Sequence, residues 1–389
     1  MLLTSDLAQQ IVDSIMHSAQ QNINIMDSRG IIIGSGHKHR IDTFHKGAKD
    51  AISSGQIVEI HQNELALYPG ALPGLNMPII LNEQIIGVVG ISGDPDDVRD
   101  TAKMVKMVTE LILEREILRE EFRSQSQLQE HFATLLLSDQ ASANYDKLSQ
   151  TAKILQYHLE LPRTVLAADV NPILEQAFHD FGLNGLVSVR TKESLLQLLI
   201  NSPTITAQDL PVFVENKLII LKHFPAGTSE VVQRQWEESL YELLHSNSNQ
   251  APLCIGLGSL TQDYTELNQS YQEALFSLQS CTATNPVSAI YDFDTLTAYL
   301  IAKIRNTEAC QPLDGTKAKL QNGFSRKYDM KNTVVCLLNN HLNITSTAKA
   351  LFIHRNTLLF RLEKLKEATG LDPCRYLNHA ILCKIIFDN

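Results

Sequence analysis

The sequence predicts an α+β protein of several domains that ends in an all-α domain. Its 389 residues exceed the roughly 250–300 residues that one hydrophobic core usually spans. Short apolar runs alternate with glycine-containing turns in the first part of the chain, whereas apolar residues recur at helical spacing near the end. From residue 325 onward, ten Lys and Arg stand against five Asp and Glu, although the whole chain has a net charge of −10. A basic end on an acidic body is typical of a nucleic-acid-binding domain.

The composition is that of an ordinary globular protein, 44% hydrophobic and 20% charged. No apolar run approaches the roughly 20 residues that span a bilayer. The segment Met1–Ile15 lacks a basic start and carries two aspartates, which argues against a signal peptide. The six cysteines are scattered without a C-x-x-C pair, which favours reduced thiols over disulfides or a zinc site. We therefore expect a cytoplasmic protein that responds to ligands inside the cell.

Residues 1–137 are predicted to form a sensor domain with an antiparallel sheet. Antiparallel strands with helices on one side are typical of PAS- and GAF-like pocket domains. The predicted elements are a helix over Ser5–Gln20, a hairpin of Ile23–Met26 with Ile31–Gly34, a helix over about Asp42–Ser53, a strand over Gln56–Ile60, and a second hairpin over Met77–Ser92 that turns near Asn82 and Glu83.

A long helix is predicted from about Asp97 to Leu137, and it carries an apolar seam beside alternating glutamates and arginines. Such a pattern suits a coiled coil between two copies, and equally a helix packed on its own domain. A homodimer is the expectation that follows from the first interpretation. The seam consists of Met104, Val108, Leu111, Leu118 and Phe122.

Residues 150–285 are predicted to follow the order β-α-β-β-α-β-α, which fits a ferredoxin-like domain of the nucleotide-cyclase type. The segment contains neither a G-G-[DE]-E-F signature nor a P-loop, and Gly256-Leu257-Gly258 lacks the third glycine of a phosphate-binding loop. We therefore expect no enzyme activity, catalytic residue or cofactor here, and a role in transmission or dimerisation. The predicted elements are strands over Arg163–Val170 and Leu253–Leu257, a hairpin over Pro211–Lys222 around Glu215 and Asn216, and helices over Val231–His245 and Thr265–Leu278; a joint at Thr282–Pro286, a helix near Asp294–Arg305 and a polar loop over Gly315–Tyr328 follow.

Residues 325–389 are predicted to form a helix-turn-helix domain. A helix over Lys331–Asn340 precedes a short second helix, capped by Thr345 or Ser346, whose Ala348, Leu351 and Phe352 are expected in the core. After a turn at Ile353 and His354, a third helix is predicted over Arg355–Thr369, ended by Gly370.

The third helix is predicted to bind DNA. Leu358, Leu362 and Leu365 form one inward stripe, with a polar face opposite and basic residues on its flanks. A helix-turn-helix inserts the polar N-terminal face of this helix into the major groove, where Asn pairs with adenine and Arg with guanine. An ordinary helical subdomain with a solvated face is the alternative that amphipathicity leaves open. The predicted DNA-contacting residues are His354, Arg355, Asn356, Thr357, Phe360, Arg361 and Lys364.

Three sets of segments resemble the PucR/CdaR class of bacterial regulators, in the order found there. The resemblance implies a DNA-binding activator of carbohydrate diacid use that responds to glucarate, galactarate or glycerate. It also implies a sugar-diacid recognition domain, a degenerate GGDEF-like middle domain and a near-palindromic operator. Phe360 stands where the class usually has Tyr, and Lys46 where it often has Glu. The segments are Thr347–Leu365 with Thr369–Asp372 for the helix-turn-helix, Asn22–Gly30, Gly34–Gly36, His45–Ala48, Gly74–Pro78 and Gly87–Ile91 for the sensor, and Gly256–Gly258 with Ser270–Leu275 for the middle domain.

A small acid needs cations and donors that pair with its carboxylates. Arg40 and His45 are the preferred candidates because they open a helix beside the second strand, whereas Arg29 lies in a turn where it can simply be solvated. His37, His39 and His45 have only Asp42 nearby as a further metal ligand, so we expect no metal site. A regulator of the same class that senses another metabolite, and a signalling protein that does not bind DNA, are the alternatives. The predicted effector-binding residues are Arg29, Ser35, Arg40, His45, Asn76 and the backbone near Gly93.

Overall fold

The structure is a computed structural model that describes residues 3–16, 21–182, 185–248, 253–282, 284–305, 307–321 and 328–387. The chain divides into two compact units, Met1–Leu128 and Gln129–Asn389. Each unit contains a five-stranded sheet and helices, and the chain ends in helices. The predicted mixed α+β architecture with a helical end is therefore confirmed.

The first unit is built on an antiparallel sheet with the strand order β2-β1-β5-β4-β3. The strands are β1 (Ile23–Asp27), β2 (Ile32–Ser35), β3 (Val58–Ile60), β4 (Gly74–Leu81) and β5 (Gln84–Ser92), and the helices are α1 (Ser5–Met16), α2 (Lys46–Ser54) and α3 (Pro95–Leu136), which ends in the second unit. The last four residues of the predicted first helix, 17–20, lie outside the described residues.

The second hairpin turns where the sequence predicts. Asn82 and Glu83 both have positive φ, 47° and 65°. Two left-handed residues are what a two-residue type I′ turn requires, and this turn matches the twist of the paired strands. The helix α2, by contrast, begins four residues later than predicted, because His45 caps it and Asp42 has a left-handed backbone.

Helices cover both faces of this sheet, so the expectation of helices on one side is wrong. One face packs against α1 and the first part of α3 through residues such as Ile25 and Met77. The other face packs against α2 through Met26, Val88 and Ala51. The strands carry apolar side chains at alternate positions on both sides, and each face therefore needs its own cover.

The second unit contains a sheet with the order β10-β9-β6-β8-β7, in which β10 runs parallel to β9 and the other neighbours are antiparallel. The strands are β6 (Arg163–Asp169), β7 (Leu210–Val214), β8 (Lys217–His223), β9 (Cys254–Thr261) and β10 (Val287–Ala289), and the helices around them are α4 (Tyr145–Leu155), α5 (Asn171–Phe181), α6 (Gly185–Ile200), α7 (Glu230–Ser246), α8 (Leu267–Gln279) and α9 (Phe293–Arg305). The strand β10 follows the predicted joint, of which residue 283 lies outside the described part, and it is not among the predicted elements.

Gly256 and Gly258 serve packing between β9 and α8. A Cβ on Gly256 would lie 2.2 Å from the carbonyl oxygen of Ala274, and one on Gly258 would lie 2.0 Å from that of Ser270. No side chain fits at such distances, so glycine is required for the helix backbone to lie against the strand. Close packing of the strand and the helix, and not phosphate binding, therefore accounts for the two glycines of this motif.

The chain ends in helices α10 (Asp314–Gln321), α11 (Met330–Asn339), α12 (Ile344–Ala350), α13 (Arg355–Thr369) and α14 (Leu377–Phe387). The prediction for α13 is confirmed at both ends, and Gly370 follows it with φ 84°. The prediction of a polar loop over Gly315–Tyr328 is wrong for residues 315–321, which belong to the helix α10, and residues 322–327 lie outside the described residues.

Two predictions for the second helix of the motif are also wrong. The cap of α12 is Asn343, whose Oδ1 accepts the N–H of Ser346 at 3.0 Å, and not Thr345 or Ser346. Phe352 is fully exposed instead of lying in the core, because the left-handed turn that it occupies directs it outward.

Candidate functional site

A row of small and polar residues crosses the sheet of the first unit in register. Ser35 lies opposite Asn24, Asn24 opposite Gly90, and Gly90 opposite Asn76, on the neighbouring strands β2, β1, β5 and β4. Residues directly opposite one another project from the same face of a sheet. We call Ser35, Asn24, Gly90 and Asn76 the polar row. Its three side chains are buried.

Hydrogen bonds join one end of the polar row. The Ser35 hydroxyl donates to Oδ1 of Asn24 at 2.7 Å, and Nδ2 of Asn22 donates to the same oxygen at 3.2 Å. The buried Oδ1 of Asn22 has no hydrogen-bond partner among the described atoms. Nδ2 of Asn76 donates to the carbonyl of Val58 at 3.5 Å, the limit of a hydrogen bond. Since buried polar groups are nearly always paired, this face has bonding capacity for a polar ligand.

His45 joins the polar row to the start of α2. Its Nδ1 accepts the N–H of Ala48 at 3.2 Å, which makes His45 the N-cap of the helix. Burial, together with the positive charge of Arg40, lowers its pKa to about 4, so the ring is neutral at physiological pH. Because Nδ1 accepts, the proton lies on Nε2, and His45 can offer a ligand one neutral donor.

Gly47 marks the point where His45 and Asn76 meet. A Cβ built on Gly47 would lie 2.9 Å from Nδ2 of Asn76 and 3.3 Å from Cε1 of His45. The two side chains therefore flank the first turn of α2, on the face of the sheet that carries the polar row. The N–H groups at the start of a helix favour anions, and here that of Ala48 is already bonded to His45.

Arg40 brings a cation to the same region. It ends a short 3-10 helix, Lys38–Arg40, and its Nη2 donates to the carbonyl of Gly70 at 3.3 Å. Burial lowers its pKa. Its charge acts on His45, so the two groups are electrostatic neighbours. Lys46, one of the two departures from the class named above, donates to the carbonyl of Leu67 at 3.0 Å.

The other two candidates lie elsewhere in the unit. Arg29 has a side chain that is 73% exposed and pairs with the Asp27 carboxylate at 2.9 Å in the first hairpin turn. The N–H of Gly93 donates to the carbonyl of Pro73, and a Cβ there would meet Val98, which belongs to the α1 and α3 face. The structure thus groups Arg40, His45 and Asn76, places Ser35 in the polar row, and separates Arg29 and Gly93 from it.

Asn22 and Asn24 were missed by sequence reasoning. The signal was present in the alternation Asn22-Ile23-Asn24-Ile25, which puts both amides on one face of β1 and both isoleucines on the other. The apolar half of this pattern predicts the strand, and its polar half marks the opposite face as unsuited to a purely hydrophobic core.

In the second unit, α13 has the inward stripe that the sequence predicts. Leu358 and Leu362 pack with Ala348 and Leu337, whereas Leu365 packs with Met330 and its neighbours. At the start of the helix, Nδ1 of His354 accepts the N–H of Asn356 at 3.2 Å. The predicted base-reading residues His354, Arg355, Asn356 and Thr357 form an exposed first turn.

The remaining predicted contacts lie further along α13 and have partners within the chain. Nη1 of Arg361 donates to Oγ1 of Thr333 at 2.9 Å and lies 3.8 Å from a carboxylate oxygen of Asp329. Lys364 pairs with Glu367 and lies 5.6 Å from the centre of the Phe360 ring, which is half-exposed. Arg355 is thus the exposed cation of the first turn, whereas Arg361 links α13 to α11.

Family models match three consecutive segments of the chain. Residues 3–136 match sugar diacid recognition, residues 140–280 a GGDEF-like domain, and residues 331–378 the PucR C-terminal helix-turn-helix domain. The carbohydrate diacid regulator of Escherichia coli K12 is 30% identical over 380 residues, which cover 95% of this chain and 94% of the relative. The chain belongs to the carbohydrate diacid regulator family.

Two further relatives extend over the same length. A Haemophilus influenzae protein is 30% identical and covers 95% of each chain, and YsfB of Bacillus subtilis is 21% identical and covers 95% of this chain and 94% of its own. The predicted DNA-binding transcriptional regulator with a sugar diacid recognition domain is therefore confirmed, as is the GGDEF-like middle region. Within the described ranges, no helix is long and apolar enough to cross a membrane. No three potential metal-ligating side chains come together among those residues.

Proposed function

We propose that this regulator activates carbohydrate diacid utilisation genes when its first unit, a PAS- or GAF-like pocket domain, binds a small hydroxy acid such as glycerate, glucarate or galactarate. The observation that carries the proposal is that His45 and Asn76 flank the first turn of α2 beside the polar row, with the charge of Arg40 acting on His45. Cations and neutral donors in one half-buried place suit a molecule with both carboxylate and hydroxyl groups.

Each group has a separate role in this proposal. Arg40 pairs with a carboxylate of the effector, and the first turn of α2 supports the same charge through its N–H groups. The Nε2–H of His45 donates to a second oxygen. The hydroxyl groups bind to Asn76 and, along the polar row, to Ser35. Arg29 lies in the first hairpin turn and Gly93 lies against Val98 on the other face of the sheet, so we assign them no contact.

Thermal unfolding with glycerate, glucarate and galactarate tests this assignment, since a ligand that binds the folded state raises the Tm by mass action. We expect Arg40→Ala to weaken binding about 10- to 100-fold, the value of a charge-assisted hydrogen bond. Arg29→Ala is the matched control, because it removes the same charge from the hairpin turn. An equal loss of binding in both variants, or none in Arg40→Ala, would remove Arg40 from the site.

We propose that the first turn of α13 reads base edges in the major groove, with Phe360, Arg361 and Lys364 on its flank. The exposed side chains of Arg355 and Asn356 support this, since these residue types pair with guanine and adenine. Asn356→Ala should relax base preference at one position of each half-site, at about 1–3 kcal/mol of discrimination. Asn378→Ala, an exposed amide on α14, is the control. Unchanged base preference in Asn356→Ala would refute this assignment.

We propose a homodimer formed through α3. Met104, Met107, Leu111 and Leu118 are exposed there, at steps of three, four and seven residues that place them on one heptad stripe. Two reading helices about 34–36 Å apart would then match a near-palindromic operator. The double substitution Leu111→Glu and Leu118→Glu should give a 43.5 kDa species in light scattering, whereas Leu67→Glu, an exposed leucine outside α3, should not. A parent protein of 43.5 kDa would refute the dimer.

We retain the division into domains at 1–137, 150–285 and 325–389 as part of this proposal. It assigns sensing to the first domain, transmission or dimerisation to the middle one and DNA binding to the last. Loss of DNA binding on deleting residues 325–389, with effector binding preserved, is the expected result. Retained operator binding in that variant would contradict the assignment.

A further inference from the structure

Phe352 lies in the turn between α12 and α13, where its backbone is left-handed with φ 53°. The N–H of Phe352 donates to the carbonyl of Lys349 at 3.1 Å, and the N–H of Ile353 donates to that of Ala348 at 3.0 Å. These two bonds define a Schellman motif, in which the left-handed position is usually glycine. A side chain there crowds the backbone carbonyl, so phenylalanine strains a turn that glycine would make without strain.

The ring of Phe352 contributes no buried surface to the domain. It is 96% exposed, while Leu351 and Ile353 on either side pack against the cluster that contains Ala348 and Leu358. The neighbours therefore anchor the turn, and neither burial nor local backbone preference accounts for a phenylalanine at this position. A residue that strains the fold and makes no packing contact indicates a binding partner outside the chain.

The position of the ring identifies the partner as DNA. Phe352 precedes the N-cap His354 by two residues, and the exposed turn that follows carries Arg355 and Asn356. In a helix-turn-helix, this end of the third helix enters the major groove. The apolar group on a base edge in the major groove is the C5-methyl group of thymine, and phenylalanine is one of the side chains that contact it.

We propose that Phe352 contacts the C5-methyl group of one thymine in each half-site. The inference rests on the proposed reading role of α13 and adds an apolar contact to it. It makes the turn itself a determinant of specificity. It also explains why an unfavourable residue occupies the glycine position of the motif.

Thymine and uracil differ only in this methyl group, which gives a direct test. A duplex is first selected from a randomised library with the full-length parent protein, and its thymines are then replaced one at a time by deoxyuridine. Burying one methyl group in an interface lowers the Kd about fourfold, so a duplex without this methyl group should have a Kd about four times as high. The parent should bind about fourfold more weakly at one thymine position per half-site. Phe352→Gly should bind the thymine duplex more weakly and no longer distinguish the two bases there.

Thermal unfolding shows whether the fold depends on the ring. Phe352→Gly should melt at or above the temperature of the parent, since glycine relieves the left-handed strain. Phe181→Ala is the control, because this ring is 78% exposed on α5 of the same unit and should leave both binding constants unchanged. A lower Tm for Phe352→Gly would make the ring structural and would overturn the proposal.

The remaining outcomes separate this proposal from the one on which it rests. If Phe352→Gly keeps the preference for thymine while Asn356→Ala loses base selectivity, the ring is not a DNA contact and α13 remains the reader. If both variants bind every duplex like the parent, both proposals are wrong. If Phe352→Gly keeps full DNA affinity but fails to activate transcription, the ring binds a protein, and the thymine contact is refuted.

Discussion

Arg361→Ala distinguishes two roles for one guanidinium. The sequence predicts that Arg361 contacts DNA from the basic flank of the helix, where a cation meets phosphate groups, whereas the structure shows a link between α13 and α11 through Thr333. Oγ1 of Thr333 is buried, and its hydroxyl already donates to the carbonyl of Asp329 at 2.8 Å. Removing Arg361 therefore takes away the charged donor to Oγ1 of Thr333. Among the described residues, no other group is seen to donate to this buried oxygen.

The size of the effect follows from these contacts. A hydrogen bond with a charged partner contributes about 1.5–3 kcal/mol. The pair with Asp329 is long, at 3.8 Å, and its carboxylate is more than half exposed, so it adds about 0–1 kcal/mol. We expect Arg361→Ala to lower the free energy of unfolding by about 2 kcal/mol. In a double-mutant cycle with Thr333→Val, most of this loss should appear as coupling between the two sites.

Urea unfolding measures the stability, and a salt titration of DNA binding measures the other role. If Arg361 is a helix link, the urea midpoint falls and the slope of log K against log salt is unchanged under conditions where the protein is folded. Arg355→Ala, which removes an exposed cation from the proposed reading turn, should keep the midpoint and lose about 1–3 kcal/mol of discrimination at one base pair. An unchanged midpoint with a reduced slope in Arg361→Ala would refute the reasoning from the contacts.

Three other substitutions have equally definite expectations. Folding lowers the pKa of His45 from 6.5 to about 4, so between these pH values the unfolded chain binds more protons than the folded one, and the free energy of unfolding should fall by up to about 3 kcal/mol as the pH drops through this range. His45→Asn, which can still cap α2, should flatten the dependence of Tm on pH, and an unchanged profile would contradict the assignment. Gly256→Ala should destabilise the second unit by about 3 kcal/mol in urea, since its Cβ would lie 2.2 Å from the carbonyl oxygen of Ala274; a stable variant would mean that α8 can move away. Lys222→Met should lower the free energy of unfolding by about 3–5 kcal/mol, because the buried Asp209 carboxylate, which lies 2.7 Å from the Lys222 ammonium group in the parent, loses its cation. Adding Asp209→Asn should restore part of this stability in urea unfolding, and the absence of any restoration would show that the pair is not coupled.

Local signals made the helix-turn-helix the most predictable part of the chain. The end of α13 follows from the glycine after Thr369, which is readable without knowledge of the fold, and its start follows the predicted turn at Ile353 and His354; the structure adds that His354 caps the helix. The strand β10 could not be predicted, because three residues, Val287–Ala289, become a strand only where β9 offers an open edge. The apolar character of Phe352 predicts a position in the core, whereas the geometry of the turn exposes it.

The candidate effector site was predictable only in part. Arg40 and His45 are close in sequence, and their proximity to the start of α2 follows from a short-range pattern. The alignment of Asn24 with Asn76 depends on β5 lying between β1 and β4, and this order is set by packing across the whole unit. Arg29 and Gly93 were candidates because of their residue type and position in the chain, which say nothing about the face of the sheet on which they lie.

The strand order of the first unit also determines the order in which its strands can pair during synthesis. The β4–β5 hairpin closes a two-residue turn, so its pairing is local and forms within microseconds of its emergence. The strand β1 is made long before β5, yet β5 is its neighbour in the sheet, and a long loop must close before they pair. Until Ser92 has left the ribosome, β1 therefore exposes an unpaired edge. During this interval the nascent N-terminal hairpin is open to aggregation or chaperone binding.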